Sequence, residues 1–228
     1  MSSLAFISIS VIEYIGVIVV ILALFRYTVS HYWPQIVFTS IVCSLFSYVL
    51  MIHYDIPLAP MIQMLCLALC FWLLFDTPLI WSFILCSFSI VYAVFQGVVI
   101  MLTIATGAAS SASLDDKTSF EIYSVQVFCA LVCYVLGSYF QRNRIGFLFI
   151  PTSRNSPFHW SRMSQRLIVV SLASFLSMIS MSVAYAWYSL SNLEWFIFLL
   201  VVLLIVSTIL LTTIQRKDQE YADQNWNR

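Results

Sequence analysis

Charged side chains are scarce in this sequence of 228 residues: ten are Lys or Arg and ten are Asp or Glu, which is 9% of the chain. Soluble domains carry about 25% charged residues, so the composition excludes an ordinary soluble domain. The net charge is zero, and no overall basic field attracts nucleic acid. We therefore expect the lipid bilayer to be the solvent of the chain, and we expect no nucleic acid among its partners.

Glycine is scarce as well, with five residues in the whole chain. None of them forms the G-x-G-x-x-G pattern or the phosphate-binding loop that nucleotide-binding folds need. The hydrolase patterns G-x-S-x-G and H-E-x-x-H are also absent from the sequence. These absences predict a protein that is not an enzyme and that carries no cofactor.

The six cysteines all fall inside apolar runs, and none belongs to a C-x-x-C pair. Cys66 and Cys70 share a helix face at i,i+4 spacing, as do Cys129 and Cys133, and such pairs could bind a soft metal. The three histidines, however, fall in predicted loops, and a buried free cysteine packs as a small apolar residue. Packing is the better interpretation, and we expect no metal.

Apolar residues, in contrast, make up 62% of the chain and form seven runs of about the 20 residues that a membrane-spanning helix needs. The sequence predicts an all-α, polytopic membrane protein. Asp76-Thr77-Pro78 separates the third run from the fourth, and Thr77 is the expected cap of a helix that begins at Pro78. The predicted spans are 4–25, 33–52, 58–75, 79–104, 120–140, 167–187 and 195–214.

Basic residues sort by loop and predict the orientation. Nine of the ten Lys and Arg residues follow the first, fifth or seventh span, and only Lys117 falls on the other side. The positive-inside rule then places the N-terminus outside and the C-terminus in the cytoplasm of a plasma (inner) membrane. Residues 1–214 form the predicted membrane domain, and 215–228 form a polar tail or helical stalk. The nine residues are Arg26, Arg142, Arg144, Arg154, Arg162, Arg166, Arg216, Lys217 and Arg228.

Four polar side chains lie well inside predicted spans, where an ionisable group costs about 2.5–3.5 kcal/mol. They are Glu13, Gln63, Gln96 and Gln126. Following each span in its assigned direction places all four in the outer half of the bilayer. They predict an outward-facing polar pocket for a cation, a small polar ligand or a peptide. The alternative is that each group simply joins two helices by a hydrogen bond.

The sixth span carries serines that would let another helix approach closely. We predict helix packing, rather than nucleophilic catalysis, for Ser171, Ser174 and Ser177.

The chain resembles the N-terminal membrane region of Agr-type peptide-receptor histidine kinases of Gram-positive bacteria. The resemblance lies in the short outside N-terminus, the acid-containing first span IEYIGVIVVILALFRY, the hairpin PLAPMIQMLCLALCFWLLFDTPLIW, and the polar helix expected after the last span. It implies a receptor that senses an extracellular peptide or small molecule and moves a helix in response. The kinase part has no counterpart here, because no histidine follows the last span.

The sequence thus favours a non-enzymatic membrane sensor or signalling accessory, whose partners would be the bilayer, an extracellular peptide or small molecule, and a cytoplasmic signalling protein. One alternative is the membrane subunit of a small-molecule transporter that borrows a transporter ATPase. Another is a structural partner of a second membrane protein.

Overall fold

A computed structural model describes residues 3–54, 56, 58–110, 119–149, 162–188 and 193–226. Within these ranges the chain is helical and contains no strand, which confirms the predicted all-α class. The helices are α1 (Ser3–Leu24), α2 (Trp33–Ser47, continued by a π-helical segment over Tyr48–His53), α3 (Ala59–Leu74), α4 (Leu79–Ser87), α5 (Ser89–Ala105), α6 (Phe120–Asn143), α7 (Arg162–Tyr188) and α8 (Leu193–Trp226).

Five helical segments are long and apolar enough to cross a bilayer, as expected of a membrane protein. They are Ser3–Leu24, Trp33–His53, Leu79–Ala105, Phe120–Asn143 and Ile197–Ala222. Two further apolar helical segments, Ala59–Leu74 and Ser164–Ser180, are shorter. Each of the seven predicted spans falls on one of these segments.

The structure refines three of the predicted boundaries. The fourth span is two helices, because Phe88 interrupts it between α4 and α5. His53 ends the π-helical segment instead of lying in a loop. The last helix continues through the predicted polar tail as far as Trp226, and residues 227 and 228 lie outside the described ranges.

The connection between α3 and α4 differs from the predicted cap. Helix α4 begins at Leu79, and no side chain caps it. Thr77 instead donates a hydrogen bond from Oγ1 to the carbonyl oxygen of Phe71, at 2.8 Å, and it also bonds the Ser82 hydroxyl. Thr77 therefore adds a second hydrogen bond to a carbonyl near the C-terminal end of α3, which also accepts from the amide of Phe75, at 3.3 Å.

Helices α1 and α6 pack closely and run parallel. Gly16 lies against the backbone of Ala130, and further along both helices Gly137 lies against the backbone of Val20. After α6 ends, the amide of Phe147 donates to the carbonyl oxygen of Leu24, at 2.8 Å. The C-terminal ends of the two helices are therefore at the same end of the bundle.

The C-terminal part of α8 also reaches this end, because the amide of Leu148 donates to Oδ1 of Asp218, at 2.7 Å. The rings of Phe147 and Phe149 pack against Phe25, which follows α1. We call this part of the molecule the basic end, because Arg26, Arg142, Arg144 and Arg216 belong to the same helix ends.

Candidate functional site

The Glu13 carboxyl group joins α1 to α5. The phenol of Tyr92 donates to Oε1 of Glu13, at 2.5 Å, and Nε2 of Gln96 donates to the same oxygen, at 3.3 Å. Tyr92 and Gln96 are four residues apart on α5 and so lie on one helix face. Two donors on one face thus hold a carboxyl group that would otherwise be expensive inside an apolar bundle.

The neighbouring residue of α1 joins a different helix. The phenol of Tyr14 donates to Oε1 of Gln63 on α3, at 3.0 Å. Adjacent residues on an α-helix point about 100° apart, so Glu13 and Tyr14 face different partners. Helix α1 therefore carries polar contacts to both α3 and α5 at one height.

In each of the two remaining amide side chains, one buried atom has no hydrogen-bond partner within the described ranges. Nε2 of Gln63 donates to nothing within the described ranges, and Oε1 of Gln126 accepts from nothing there. On α6, Gln126 lies four residues before Ala130. Ala130 contacts Gly16 of the parallel helix α1, and Ile12 lies four residues before Gly16. Gln126 is therefore at about the height of Glu13. An open donor and an open acceptor therefore lie at about the height of the hydrogen-bonded carboxyl group.

The structure thus brings Glu13 and Gln96 into direct contact and places Gln63 one hydrogen bond from the adjacent residue of α1. It leaves Gln126 unconnected to the others. Their role in ligand binding stays a prediction. Sequence reasoning missed the two tyrosines, Tyr14 and Tyr92, although a phenol in the middle of a span also needs a polar partner.

The serines predicted to pack helices are used within the chain. Ser171 and Ser174 of α7 are buried, and the Ser171 hydroxyl lies 3.3 Å from the hydroxyl of Ser87 on α4. Ser177 donates to the carbonyl oxygen of Ser174 in its own helix. The part of this face formed by Ser171 therefore packs against α4 of the same chain.

A groove of about 670 Å³ separates α7 from α8 near the basic end. Its wall contains Arg166 and Arg216, together with the hydroxyls of Thr212 and Thr213, and none of the four predicted ligand residues lines it. This groove is thus distinct from the polar groups around Glu13.

Three cysteines form a cluster that the sequence pattern did not predict. Cys43 of α2 joins the pair of Cys66 and Cys70 on α3, and the three sulfur atoms lie within 4.8 Å of one another. Nothing in the sequence spacing relates position 43 to positions 66 and 70, so only the packing of α2 on α3 reveals this group.

No protein-family profile, curated protein or solved structure matches the chain. The function therefore has to be argued from the geometry of these groups.

Proposed function

We propose that this chain is a non-enzymatic membrane sensor or signalling accessory that binds an extracellular peptide or small polar ligand beside Glu13. The observation that carries the proposal is the pair of open amide groups at that height, Nε2 of Gln63 and Oε1 of Gln126. A buried polar group without a partner costs about 1–3 kcal/mol, and a ligand with its own donor and acceptor would recover that cost. A peptide backbone offers both groups at each residue.

The directions of the helices support seven spans. If only the five longer segments crossed the membrane, α1 and α6 would run in opposite directions, but they are parallel. Their parallel packing supports a crossing by α3 as well. In the same way, the segment after α6 bonds to the C-terminal part of α8 through Leu148 and Asp218, which supports a crossing by α7 between them.

The arginines at the ends of α1, α6 and α8 support a cytoplasmic location for the basic end, because basic residues are retained on that side. The N-terminus of α1 is then outside. Glu13 is then at mid-depth in α1, while Gln63 and Gln126 lie nearer the outer ends of α3 and α6, which supports access for an extracellular ligand.

A route from the Glu13 cluster to the cytoplasm runs through α5 and α8. Gly97, next to Gln96, packs directly against the side chain of Leu200 on α8. Helix α8 contains 34 residues, which at 1.5 Å per residue is about 51 Å, whereas the apolar core of a bilayer is about 30 Å thick. A ligand that shifts Gln96 would therefore move a helix that extends into the cytoplasm as a stalk.

The test measures the position of the stalk. Nitroxide labels are attached to cysteines introduced at Gln141, at the end of α6, and at Gln219 of α8, which are both exposed. We compare label-to-label distances in the wild-type background and in Gln96→Leu, which removes one donor to Glu13. The matched control is Ser180→Ala, because the hydroxyl of Ser180 donates to the carbonyl oxygen of Leu176 in its own helix.

The sensor proposal expects Gln96→Leu to change the distance distribution by a few ångströms, and it expects the control to leave it unchanged. Equal distributions in all three proteins would contradict the proposal. Equal distributions would instead agree with a transport role, in which the polar groups bind a substrate without moving α8. An ATPase that co-purifies with the N-terminally tagged chain would then favour that alternative.

A further inference from the structure

The sulfur atoms of Cys43, Cys66 and Cys70 come from two helices and meet at one place inside the bundle. Cys43 is fully buried on α2, and Cys66 and Cys70 are partly buried one turn apart on α3. All three sulfurs lie within 4.8 Å of one another. Within the described ranges, no His, Asp, Glu or fourth Cys joins them at that distance.

This spacing is close to what three sulfur ligands of one metal ion require. A thiolate sulfur binds a d10 ion such as Zn²⁺ at about 2.3 Å. Three sulfurs placed symmetrically around such an ion in one plane are then about 4.0 Å apart. The cluster therefore needs to contract by less than about 1 Å, which side-chain rotation can supply.

A buried hydroxyl group lies beside the sulfurs. Thr39 is one helical turn before Cys43, and its side chain is completely buried. Its hydroxyl lies next to the thiol of Cys70 and interacts with it. A rotation of the hydroxyl would let it donate to a sulfur ligand, and such outer hydrogen bonds orient and stabilise metal ligands.

We propose that Cys43, Cys66 and Cys70 form a membrane-embedded binding site for Cu(I). Soft thiolate ligands select Cu(I), and a set of three sulfurs without a fourth ligand suits Cu(I) better than Zn²⁺, which takes four ligands in structural sites. Binding displaces thiol protons into water. The positive ion and the Thr39 hydroxyl both lower the cost of anionic sulfur in an apolar setting.

This proposal is independent of the sensor role, because none of the residues around Glu13 takes part. Cys43 is essential to the proposed site, because Cys66 and Cys70 on α3 alone provide only two sulfurs. The pair Cys129 and Cys133 on α6 offers a matched control with the same spacing.

The experiment uses the full chain, reduced and kept under anaerobic conditions in lipid nanodiscs. Cu(I) is titrated against the competing chelator bicinchoninate, and X-ray absorption counts the sulfur ligands. We expect one Cu(I) per chain with three sulfurs at about 2.3 Å. Cys43→Ser and Cys66→Ala should each weaken binding by about tenfold or more, because even outer-shell changes cost 10- to 100-fold. The double variant Cys129→Ser/Cys133→Ser should bind as the wild type does.

Thr39→Val provides a graded test, since it should weaken binding by about tenfold while the three-sulfur spectrum persists. Size-exclusion profiles and unfolding temperatures identify variants that fail to fold, and the two ligand variants on different helices protect against that failure. The proposal is overturned by an absence of Cu(I) binding, by wild-type affinity in Cys43→Ser, by an equal loss in the control, or by tighter binding of Zn²⁺ than of Cu(I).

Discussion

Gly16 of α1 lies directly against Ala130 of α6. A Cβ atom at position 16 would be 2.8 Å from the carbonyl oxygen of Ala130 and 3.2 Å from its Cα atom. Both are backbone atoms, which cannot move aside without moving the helix. Small residues allow helices to approach this closely in membranes, where packing is a main force that holds helices together.

We expect Gly16→Val to separate α1 from α6 and to destabilise the protein by about 1–3 kcal/mol, a typical cost of overpacking. Unfolding in detergent, followed by circular dichroism, measures the loss. Gly97→Ala is the control, because a Cβ there would meet only Cδ1 of Leu200, at 2.5 Å, which a rotation can displace. Equal losses in the two variants would contradict the predicted close contact at position 16.

The hydrogen bond from Tyr92 to Glu13 predicts a coupling between the two side chains. Glu13→Gln keeps an oxygen that accepts from Tyr92, so we expect a loss of less than about 1 kcal/mol. Tyr92→Phe leaves the carboxyl group with Gln96 alone and should cost about 1–2 kcal/mol. A double-mutant cycle of Glu13→Ala and Tyr92→Phe should show a coupling energy of about 1 kcal/mol or more, and strictly additive losses would exclude the bond.

Tyr14 and Tyr27 offer a matched pair of phenols. Tyr14→Phe removes the hydrogen bond to Gln63 and should lower the unfolding temperature. Tyr27 lies after α1 with its hydroxyl buried and without a hydrogen-bond partner in the described ranges. Burial raises the pKa of Tyr27, which is therefore neutral at pH 7. Tyr27→Phe should leave the unfolding temperature unchanged or raise it. A lower unfolding temperature for Tyr27→Phe than for Tyr14→Phe would contradict both the Tyr14 hydrogen bond and the unpartnered Tyr27 hydroxyl.

The proposed topology predicts which surface residues react from outside the cell. Ala108 follows α5 and Asn143 ends α6, and both are exposed. With the basic end in the cytoplasm, a cysteine introduced at Ala108 should react with an impermeant maleimide in intact cells. A cysteine introduced at Asn143 should react only after the cells are opened. Labelling of position 143 in intact cells would show that the chain has the opposite orientation.

The hydrogen bond between Leu148 and Asp218 predicts a local protection from exchange. Asp218→Ala should accelerate hydrogen exchange at the Leu148 amide by about tenfold, which corresponds to about 1.4 kcal/mol. Asp218→Asn keeps an acceptor oxygen and should retain most of the protection. Exchange that is equally fast in the wild type would show that the bond does not form in solution.

Much of the fold could be predicted because hydropathy and charge can be read directly from the order of residues in the sequence. The helices follow the apolar runs that a bilayer requires, and basic residues gather at one end. The break at Phe88 has no such signal, since no Gly, Pro or charged residue marks it. Thr77 could also not be assigned, because a hydroxyl between two helices can bond to either one, and here it bonds to the backbone of α3 and to a side chain of α4.

The depth of the candidate-site residues in the membrane could be predicted, but the direction in which each side chain points could not. Counting residues along alternating spans places Glu13 and Gln96 at one depth, and they hydrogen-bond. The rotation of each helix about its axis depends on packing against neighbours, so the same count could not show that Oε1 of Gln126 lacks a hydrogen-bond partner among the described residues. The same limit hid Cys43, whose contact with Cys66 depends on how α2 faces α3.

The close packing of α1 on α6 also has a consequence for biosynthesis. Ala130 is made more than a hundred residues after Gly16, and at about 5–20 residues per second this takes roughly 5 to 20 s. During that interval α1 is already made, but the partner for its glycine surface does not yet exist, and Glu13 has no Tyr92 until α5 is complete. The first helix therefore depends on the insertion machinery, or on its early neighbours α2 and α3, to remain in place until α6 arrives.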